Sequence, residues 1–191
     1  MIGEKFVVPV PGICLRLRHQ NEVPVLVELV AATRAHQATL SNLLQFYMYD
    51  FSEFISLELG QDGRFEYSQL PFYWIDPMRF PLLAVVDGRH AGFVFVRQVP
   101  NSVGEGTIWD MAEFFVMRSY RGQGVGTSLA RLAFKRFPGA WQVRVMASNV
   151  PACRFWQQAI ATFTGTDVLP RRAWLDEVAW DVFTFEAGKS K

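Results

Sequence analysis

The residues best placed to do chemistry are a glycine-rich segment, Arg121-Gly122-Gln123-Gly124-Val125-Gly126. It follows the strand-like run Glu113-Phe114-Phe115-Val116 and precedes a helix-like run that begins near Gly124. Backbone N–H groups at such a strand-loop-helix junction converge on a phosphate, and the positive end of the helix dipole favours the anion. Glycines let a bulky anion approach the backbone, and Arg121 adds a charged donor. The segment therefore predicts a site for the phosphates of a cofactor.

Three phosphate-binding patterns compete for this segment. A P-loop needs a Lys and then a Ser or Thr directly after its last glycine, but Gly126 is followed by Thr127 and Ser128. A dinucleotide-binding fingerprint needs a third glycine where Thr127 stands. It also needs an acidic residue at the end of the next strand, and residues 146–148 supply none. The third pattern, R/Q-x-x-G-x-G/A, is matched in full by Arg121, Gly124 and Gly126.

A second motif follows at the start of the next predicted helix, 23 residues after Gly126. It reads Asn149-Val150-Pro151-Ala152-Cys153-Arg154-Phe155-Trp156. The two motifs, each after a predicted strand and in this order, resemble the two signatures of the GCN5-related N-acetyltransferases, the GNAT family. The resemblance covers roughly residues 26–187 and is sharpest over residues 107–156.

The resemblance implies an N-acetyltransferase that moves an acetyl group directly to an amine, with acetyl-CoA as cosubstrate and no metal. In this family the glycine loop binds the pyrophosphate of CoA. The strand before the loop holds the pantetheine arm through backbone groups, and the second motif contacts the same region. Carried over to this chain, the backbone amide of Val116 polarises the thioester carbonyl. The implied cofactor-binding residues are Phe115, Val116, Met117, Arg121, Gly122, Gln123, Gly124, Val125, Gly126, Thr127, Asn149 and Trp156.

Transfer to an amine needs a base, and Glu113 is the candidate. It interrupts an apolar strand just before the loop, where burial raises the pKa of a carboxyl group toward a useful range. The resemblance also implies a Glu at this place that often acts through a water. Strict alternation along the strand puts Glu113 on one face with Trp109, Met111 and Phe115. Asp110 then falls on the opposite face, unless a bulge intervenes.

The chain departs from the family pattern at Trp156, where a Tyr often serves as general acid. An indole N–H cannot give up a proton at physiological pH. The acid must therefore be another residue or solvent, or the step needs none. Tyr120 is a nearby substitute, and Cys153 has no His close in sequence to activate it. The substitution keeps a second hypothesis open, a module that binds CoA or acyl-CoA without turnover.

The acceptor site is predicted near the end of the first helix and in the loops that follow it. Tyr47 and Asp50 are candidates to line an amine pocket. Tyr73 and Trp74 are candidates to cover it through cation–π contact with the amine. The expected acceptor is a small-molecule or peptide amine, and a homodimer is left open.

Composition narrows the class of protein further. The chain has 191 residues, half of them hydrophobic, and a net charge of +1. This gives one well-filled core, no basic field for nucleic acid and no apolar run that spans a membrane. Cys14 and Cys153 show no metal-binding spacing, which indicates free thiols in a cytoplasmic protein. The predicted organisation is an extension (1–25), an acetyltransferase domain (26–187) and a short tail (188–191).

Periodicity predicts a mixed α+β fold, a central sheet with helices on its faces. The resemblance adds that the sheet is mostly antiparallel, with helices on both faces. Asp87-Gly88 marks a hairpin between strands at 81–86 and 91–98. The other predicted elements are a strand at 25–32, a helix from Leu40, a strand at 107–117, a helix ending at Pro138-Gly139, a strand at 141–147, a helix from Pro151 to Gly165, and two strands within 171–187.

Overall fold

The computed structural model describes residues 25–101 and 104–188. Most of the predicted extension over 1–25, together with Cys14, residues 102–103 and residues 189–191, lies outside these ranges. Each predicted strand and helix inside them is present, with ends that differ by a few residues. The seven strands are β1 (Val27–Ala31), β2 (Arg79–Val86), β3 (Arg89–Pro100), β4 (Thr107–Val116), β5 (Gly139–Met146), β6 (Arg171–Leu175) and β7 (Val178–Ala187).

The strands of the described residues form one sheet in the order β1-β2-β3-β4-β5-β7-β6. Every neighbouring pair is antiparallel except β4 and β5, which run parallel. The predicted α+β class with a mostly antiparallel sheet is therefore confirmed. A dinucleotide-binding domain requires a mostly parallel, doubly wound sheet, so this topology excludes that alternative for the described part of the chain.

Three α-helices in the described residues cover the two faces of the sheet. They are α1 (Gln37–Phe51), α2 (Val125–Arg136) and α3 (Val150–Thr164). On one face, α1 and a short 3-10 turn (Leu70–Trp74) bury Leu40, Leu44 and Tyr73 against aromatic residues of β3 and β4. On the other face, α2 and α3 form a larger core around Phe134, Trp141, Trp156 and Ile160. The two faces are thus separately sealed, and a ligand passing between them needs an opening in the sheet.

Local sequence signals fix several element ends. The β2–β3 hairpin turns at Asp87 and Gly88, whose φ angles of 48° and 73° suit the predicted Asp-Gly turn. Asn149 caps α3, because its side chain accepts a hydrogen bond from the N–H of Ala152. Gly165 ends α3 in the left-handed conformation, with a φ of 75°.

Candidate active site

The sheet opens between β4 and β5. These strands pair only over Trp109–Met111 with Trp141–Val143, and beyond that point they separate. A β-bulge in β4 lies at the same place: Phe95 of β3 faces Glu113, whereas Val96 faces Met111, which leaves Ala112 as an extra residue. An extra residue bends the bulged strand and increases its twist. The bulge therefore accounts for the gap that β4 leaves beside β5.

Two cavities meet at this gap. The loop cavity, of about 540 Å³, lies beside the glycine-rich segment and contains Gly122, Gly124, Gly126 and Thr127 in its wall. The tyrosine cavity, of about 390 Å³, is lined by Tyr67 and Tyr73 and by Glu113. Five residues line both cavities and so mark their junction: Tyr47, Phe51, Phe114, Asn149 and Ala152.

The glycine loop presents unpaired backbone donors to the loop cavity. Gly122 and Gly124 have φ angles of 71° and 75°, and a Cβ at either position would meet open space. Gly124 is the N-cap of α2 and supplies no side-chain cap. The first helical bond runs from Ser128 to the Gly124 carbonyl, so the N–H groups of residues 125–127 have no partner among the described residues. Such an end has the geometry and the partial positive charge that bind a phosphate.

Two other members of the predicted segment have structural contacts. The side chain of Gln123 donates to the Ser119 carbonyl at 2.8 Å. The side chain of Val125 is buried in the core beneath α2. These two residues therefore offer only their backbone groups to a ligand in the loop cavity.

Arg121 links the loop to β4 and to α1. Its Nε donates to the Val116 carbonyl at 2.6 Å, and its Nη2 donates to Asp50 at 2.5 Å. Arg118 also binds Asp50, at 2.7 Å. Burial alone would raise the pKa of Asp50, but the hydrogen bonds and charges of the two arginines outweigh it and lower that pKa. Asp50, a predicted acceptor-site residue, thus lies in the wall of the loop cavity.

The open edge of β4 carries further backbone donors and acceptors. The N–H of Met117 donates to the Ala91 carbonyl of β3, and its carbonyl accepts from Tyr120. Along an antiparallel ladder, the backbone N–H and C=O groups of successive residues point to alternate sides. Those of Phe115 therefore also point toward β3, and those of Phe114 and Val116 point toward the gap. Val116 and Phe115 line the loop cavity, whereas both backbone groups of Met117 are engaged within the fold.

The second motif forms the opposite wall of the junction. Asn149 lines both cavities while its side chain caps α3. Phe155 lines the loop cavity, but Trp156 lies on the side of the tyrosine cavity. Trp156 is only 5% exposed and packs edge-on against Phe114, with ring centroids 4.8 Å apart. It therefore forms a wall at the gap.

Glu113 is the acidic residue in the wall of the tyrosine cavity. Tyr47 donates to its Oε2 at 2.5 Å, and Tyr67 donates to its Oε1 at 2.9 Å. Burial raises the pKa of Glu113, while the two tyrosine hydrogen bonds and the charge of Arg97 oppose that shift. A carboxylate with a raised pKa beside a cavity is suited to accept a proton near neutral pH.

The strict alternation predicted along β4 is wrong at its centre. Met111 packs into the core beneath α2 and α3, whereas Glu113 contacts tyrosines on the α1 side. The bulge at Ala112 causes the switch, since it shifts the parity of all later residues. Asp110 therefore shares a face with Glu113, and bonds to Arg97 and Arg144 there.

The other residues predicted for the acceptor site, together with Tyr120 and Cys153, have weaker links to the cavities. Tyr73 lines the tyrosine cavity, but the guanidinium of Arg79 already lies 5.4 Å from its ring centroid. Trp74 packs against the core under α1 and lines neither cavity. Tyr120 lines neither cavity, and burial raises the pKa of Cys153 to about 11, which leaves its thiol protonated. A nucleophilic role for Cys153 has no support.

Sequence reasoning missed Tyr67 and the arginines of the tyrosine cavity. Tyr67 comes from the turn-rich stretch between α1 and β2, where no periodicity indicates which side chains face inward. Arg97 and Arg144 stand in apolar strands, and a cation in a buried strand is the signal that would have found them. Arg97, Arg144 and Tyr67 can be recognised as site residues only once the bulge is known, because it places Asp110 and Glu113 on the same face.

The sequence model of the acetyltransferase (GNAT) family matches residues 42–160, which is more than half of the chain. The chain belongs to the GNAT family. A search of curated proteins found no significant match to it. In the described residues, no three His, Cys, Asp or Glu side chains are grouped so as to hold a metal ion. The helices of that part of the chain are all too short or too polar to cross a membrane.

Solved structures of acetyltransferases share the fold at low sequence identity. An acetyltransferase from Thermus thermophilus has 16% identity and a TM-score of 0.60, over 84% of this chain and 96% of that one. Arabidopsis thaliana NAA60 in complex with acetyl-CoA has 15% identity and a TM-score of 0.57, over 85% and 98%. The aminoglycoside acetyltransferase AAC(6')-Ib in complex with coenzyme A has 15% identity and a TM-score of 0.59, over 84% and 95%. At these identities the likeness establishes the fold alone.

Proposed function

We propose that this GNAT protein is an N-acetyltransferase that moves the acetyl group of acetyl-CoA directly to an amine. One observation carries the proposal. The two cavities meet at the gap in the sheet. The glycine loop, which has the geometry of a phosphate site, lies on one side, and the buried carboxylate of Glu113 lies on the other. The domain responsible is assigned to residues 26–187.

The loop cavity fits the donor. Acetyl-CoA supplies an activated acetyl thioester, and the NAA60 and AAC(6')-Ib structures contain acetyl-CoA and CoA, respectively. In this chain, the N–H groups of residues 125–127 and the guanidinium of Arg121 hold the pyrophosphate. The backbone groups of Phe114 and Val116 bind the pantetheine arm along the open edge of β4. The amide of Val116 stabilises the oxyanion that forms on the acetyl carbonyl.

The tyrosine cavity fits the acceptor. Glu113 takes a proton from the incoming amine, directly or through a water, while Tyr47 and Tyr67 orient its two oxygens. The amine nitrogen bonds to the acetyl carbon, the carbon–sulfur bond breaks, and its electrons leave on the CoA sulfur. Glu113 then releases its proton to solvent, and the thiolate takes up a proton from solvent.

Release of the thiolate needs no strong acid. The indole of Trp156 cannot donate its proton at neutral pH. A thiol has a pKa of about 8.5, so its thiolate is a tolerable leaving group, unlike an alkoxide. The chain therefore does without the Tyr that often follows the Phe of this motif in the family, and takes the proton from solvent.

The competing function is a module that binds acyl-CoA without turnover. Trp156 favours it, because this side chain removes the usual acid from the gap. Purified protein and acetyl-CoA, incubated with a broad panel of amines and assayed for free CoA, separate the two. Turnover with at least one amine, lost in Glu113→Gln, supports the transferase. Raised melting temperature with CoA but no turnover on any amine supports the module. A protein stabilised by NAD(H) and not by CoA contradicts both.

A further inference from the structure

Arg97 and Arg144 form a cationic wall of the tyrosine cavity, beyond Glu113. Asp110 is completely buried and accepts hydrogen bonds from three side chains on neighbouring strands. Arg97 Nε lies 2.8 Å from its Oδ2, and Arg144 binds it twice, at 3.1 Å and 3.0 Å. Gln142 donates to it at 3.0 Å. One carboxylate thus anchors two guanidinium groups.

The two arginines face the cavity and the carboxylate does not. Arg97 and Arg144 line the tyrosine cavity, with 27% and 29% of each side chain exposed, whereas Asp110 lies behind them and lines neither cavity. Both Nη groups of Arg97 and the Nη1 of Arg144 have no partner among the described residues. A ligand in the cavity therefore meets hydrogen-bond donors at the two arginines, whose charge exceeds that of Asp110 by one, and a carboxyl group at Glu113.

Neighbouring side chains of this wall are also donors. Arg79 lines the cavity and is held by Asp76 at 3.1 Å and by Gln69 at 3.3 Å. The Nε1 of Trp180 is buried without a partner in the described part of the chain, and Trp180 lines the same cavity. Trp180 lies opposite Met146, and Arg144 shares the Met146 side of β5, so the indole and the guanidinium face the same way. A buried N–H without a partner is costly unless a ligand accepts from it.

The spacing between this wall and Glu113 sets the size of the ligand. On β3, Arg97 pairs with Asp110 and Phe95 pairs with Glu113, so the two positions are two residues apart on one face. A strand rises about 3.3 Å per residue, which separates them by about 7 Å along the strand. An amine at Glu113 and an anion at the arginines therefore belong to one small molecule, with a few bonds between the two groups.

We propose that the acceptor is a small amine with an anionic group, a carboxylate or a phosphate, which Arg97 and Arg144 bind while the amine faces Glu113. This inference rests on the proposed transferase function and names its substrate class. Guanidinium groups bind both kinds of anion through paired hydrogen bonds. A polyamine is disfavoured, because a second positive charge would lie against Arg97 and Arg144.

The test compares matched acceptors. Initial rates of CoA release are measured with α-, β- and γ-amino acids beside their carboxamides, and with O-phosphoethanolamine beside ethanolamine. We expect kcat/KM to favour the anionic member of at least one pair by about tenfold or more, because the arginines lose their partner with the neutral member. The two series distinguish carboxylate from phosphate, and the amino-acid series reports the spacing.

Variants test whether the arginines of the cationic wall cause the preference for anionic acceptors. Arg144→Gln keeps a donor for Asp110 but removes the charge, and we expect it to reduce the preference about tenfold through a higher KM for the anionic acceptor. Arg171→Gln is the matched control, because Arg171 pairs with Val182 on the same sheet face but lines neither cavity. Its preference should equal that of the wild type. Arg97→Gln removes the same charge while Arg144 still binds Asp110 through two hydrogen bonds, and it serves if Arg144→Gln does not fold.

The outcomes separate this inference from the proposed function. If the wild type acetylates neutral and anionic members equally, or if Arg144→Gln keeps the full preference, the inference is overturned and the transferase stands. If calorimetry detects Arg144-dependent binding of the anionic amines but no amine is acetylated, the binding site stands and the transferase falls. If the anionic amines neither bind nor react, the inference is overturned.

Discussion

The two cavities that meet at the gap are built in different ways. The loop cavity takes its key groups from one continuous segment, residues 121–127, and mostly from the backbone. The tyrosine cavity takes side chains from α1, the following loop, α3 and the strands β2, β3, β4, β5 and β7. A backbone site tolerates most side-chain changes except at its glycines, whereas a side-chain site depends on each residue that turns inward. Substitutions in the two cavities should therefore have effects of different size and kind.

Gly124→Glu should abolish CoA binding. The new Cβ meets open space, but the carboxylate enters the volume proposed for the pyrophosphate. Two like charges about 4 Å apart at a protein surface cost about 4 kcal/mol, or about 10³-fold in affinity. Gly63→Glu is the matched control, because Gly63 has a φ of 72° and open space around its Cβ, and it lines neither cavity. Calorimetric titration with CoA measures both, and equal affinities would remove the loop from the site.

Glu113→Gln should lower kcat by about 10²-fold or more while the KM for acetyl-CoA stays nearly constant. The rate loss should shrink at high pH, where more of the amine is already deprotonated in solution. A steady-state pH series of both enzymes checks this. A variant with the wild-type rate at neutral pH would exclude Glu113 as the base.

The same substitution should raise stability. The pKa of Glu113 is raised in the fold, so its contribution to stability is present at acid pH and is lost as pH rises through the folded pKa. Gln keeps an acceptor for Tyr47 or Tyr67 and has no charge to bury. The melting temperature of Glu113→Gln should therefore exceed that of the wild type at pH 7, by a margin that narrows toward about pH 4. A lower melting temperature at neutral pH would contradict the burial argument.

Tyr67→Phe should lower the rate several-fold at neutral pH. The hydrogen bond from Tyr67 favours the charged form of Glu113, so its loss raises the pKa of Glu113 further. The acidic limb of the kcat/KM profile should move to higher pH. Tyr49→Phe is the control, because Tyr49 is 66% exposed on α1 and lines neither cavity. An unshifted limb in Tyr67→Phe would show that this tyrosine does not tune the base.

Trp156→Phe should change the rate least. No proton comes from the indole, so kcat should stay within about threefold of the wild type. Removing part of a ring that is 5% exposed leaves a small cavity and should cost about 1–3 kcal/mol of stability. Trp156→Tyr tests the opposite direction, and we expect it to keep or raise kcat by restoring a hydroxyl at the gap. A folded Trp156→Phe protein that binds CoA but has no turnover would assign the indole a chemical role.

The family, the order of the elements and the phosphate-binding type of the glycine loop were all readable from the amino-acid sequence. Arg121, Gly124 and Gly126 lie within six residues, and their function depends on local backbone geometry that glycine and a helix start produce wherever they occur. The hairpin at Asp87-Gly88 and the cap at Asn149 are local for the same reason. Glu113 was also identifiable, since a carboxylate in an apolar strand stands out in any alternation pattern.

The surroundings of Glu113 depend on contacts between residues that are far apart in the sequence. The bulge at Ala112 arises from pairing with β3 and reverses the face of every later residue in β4, which strand alternation alone does not reveal. The same folding brings Tyr67 and Arg144 into one cavity from positions 77 residues apart in the chain. Asp50 is a second example, because the end of α1 places it beside Arg118 and Arg121 at the loop cavity. Long-range packing sets these neighbours, and no short stretch of sequence encodes them.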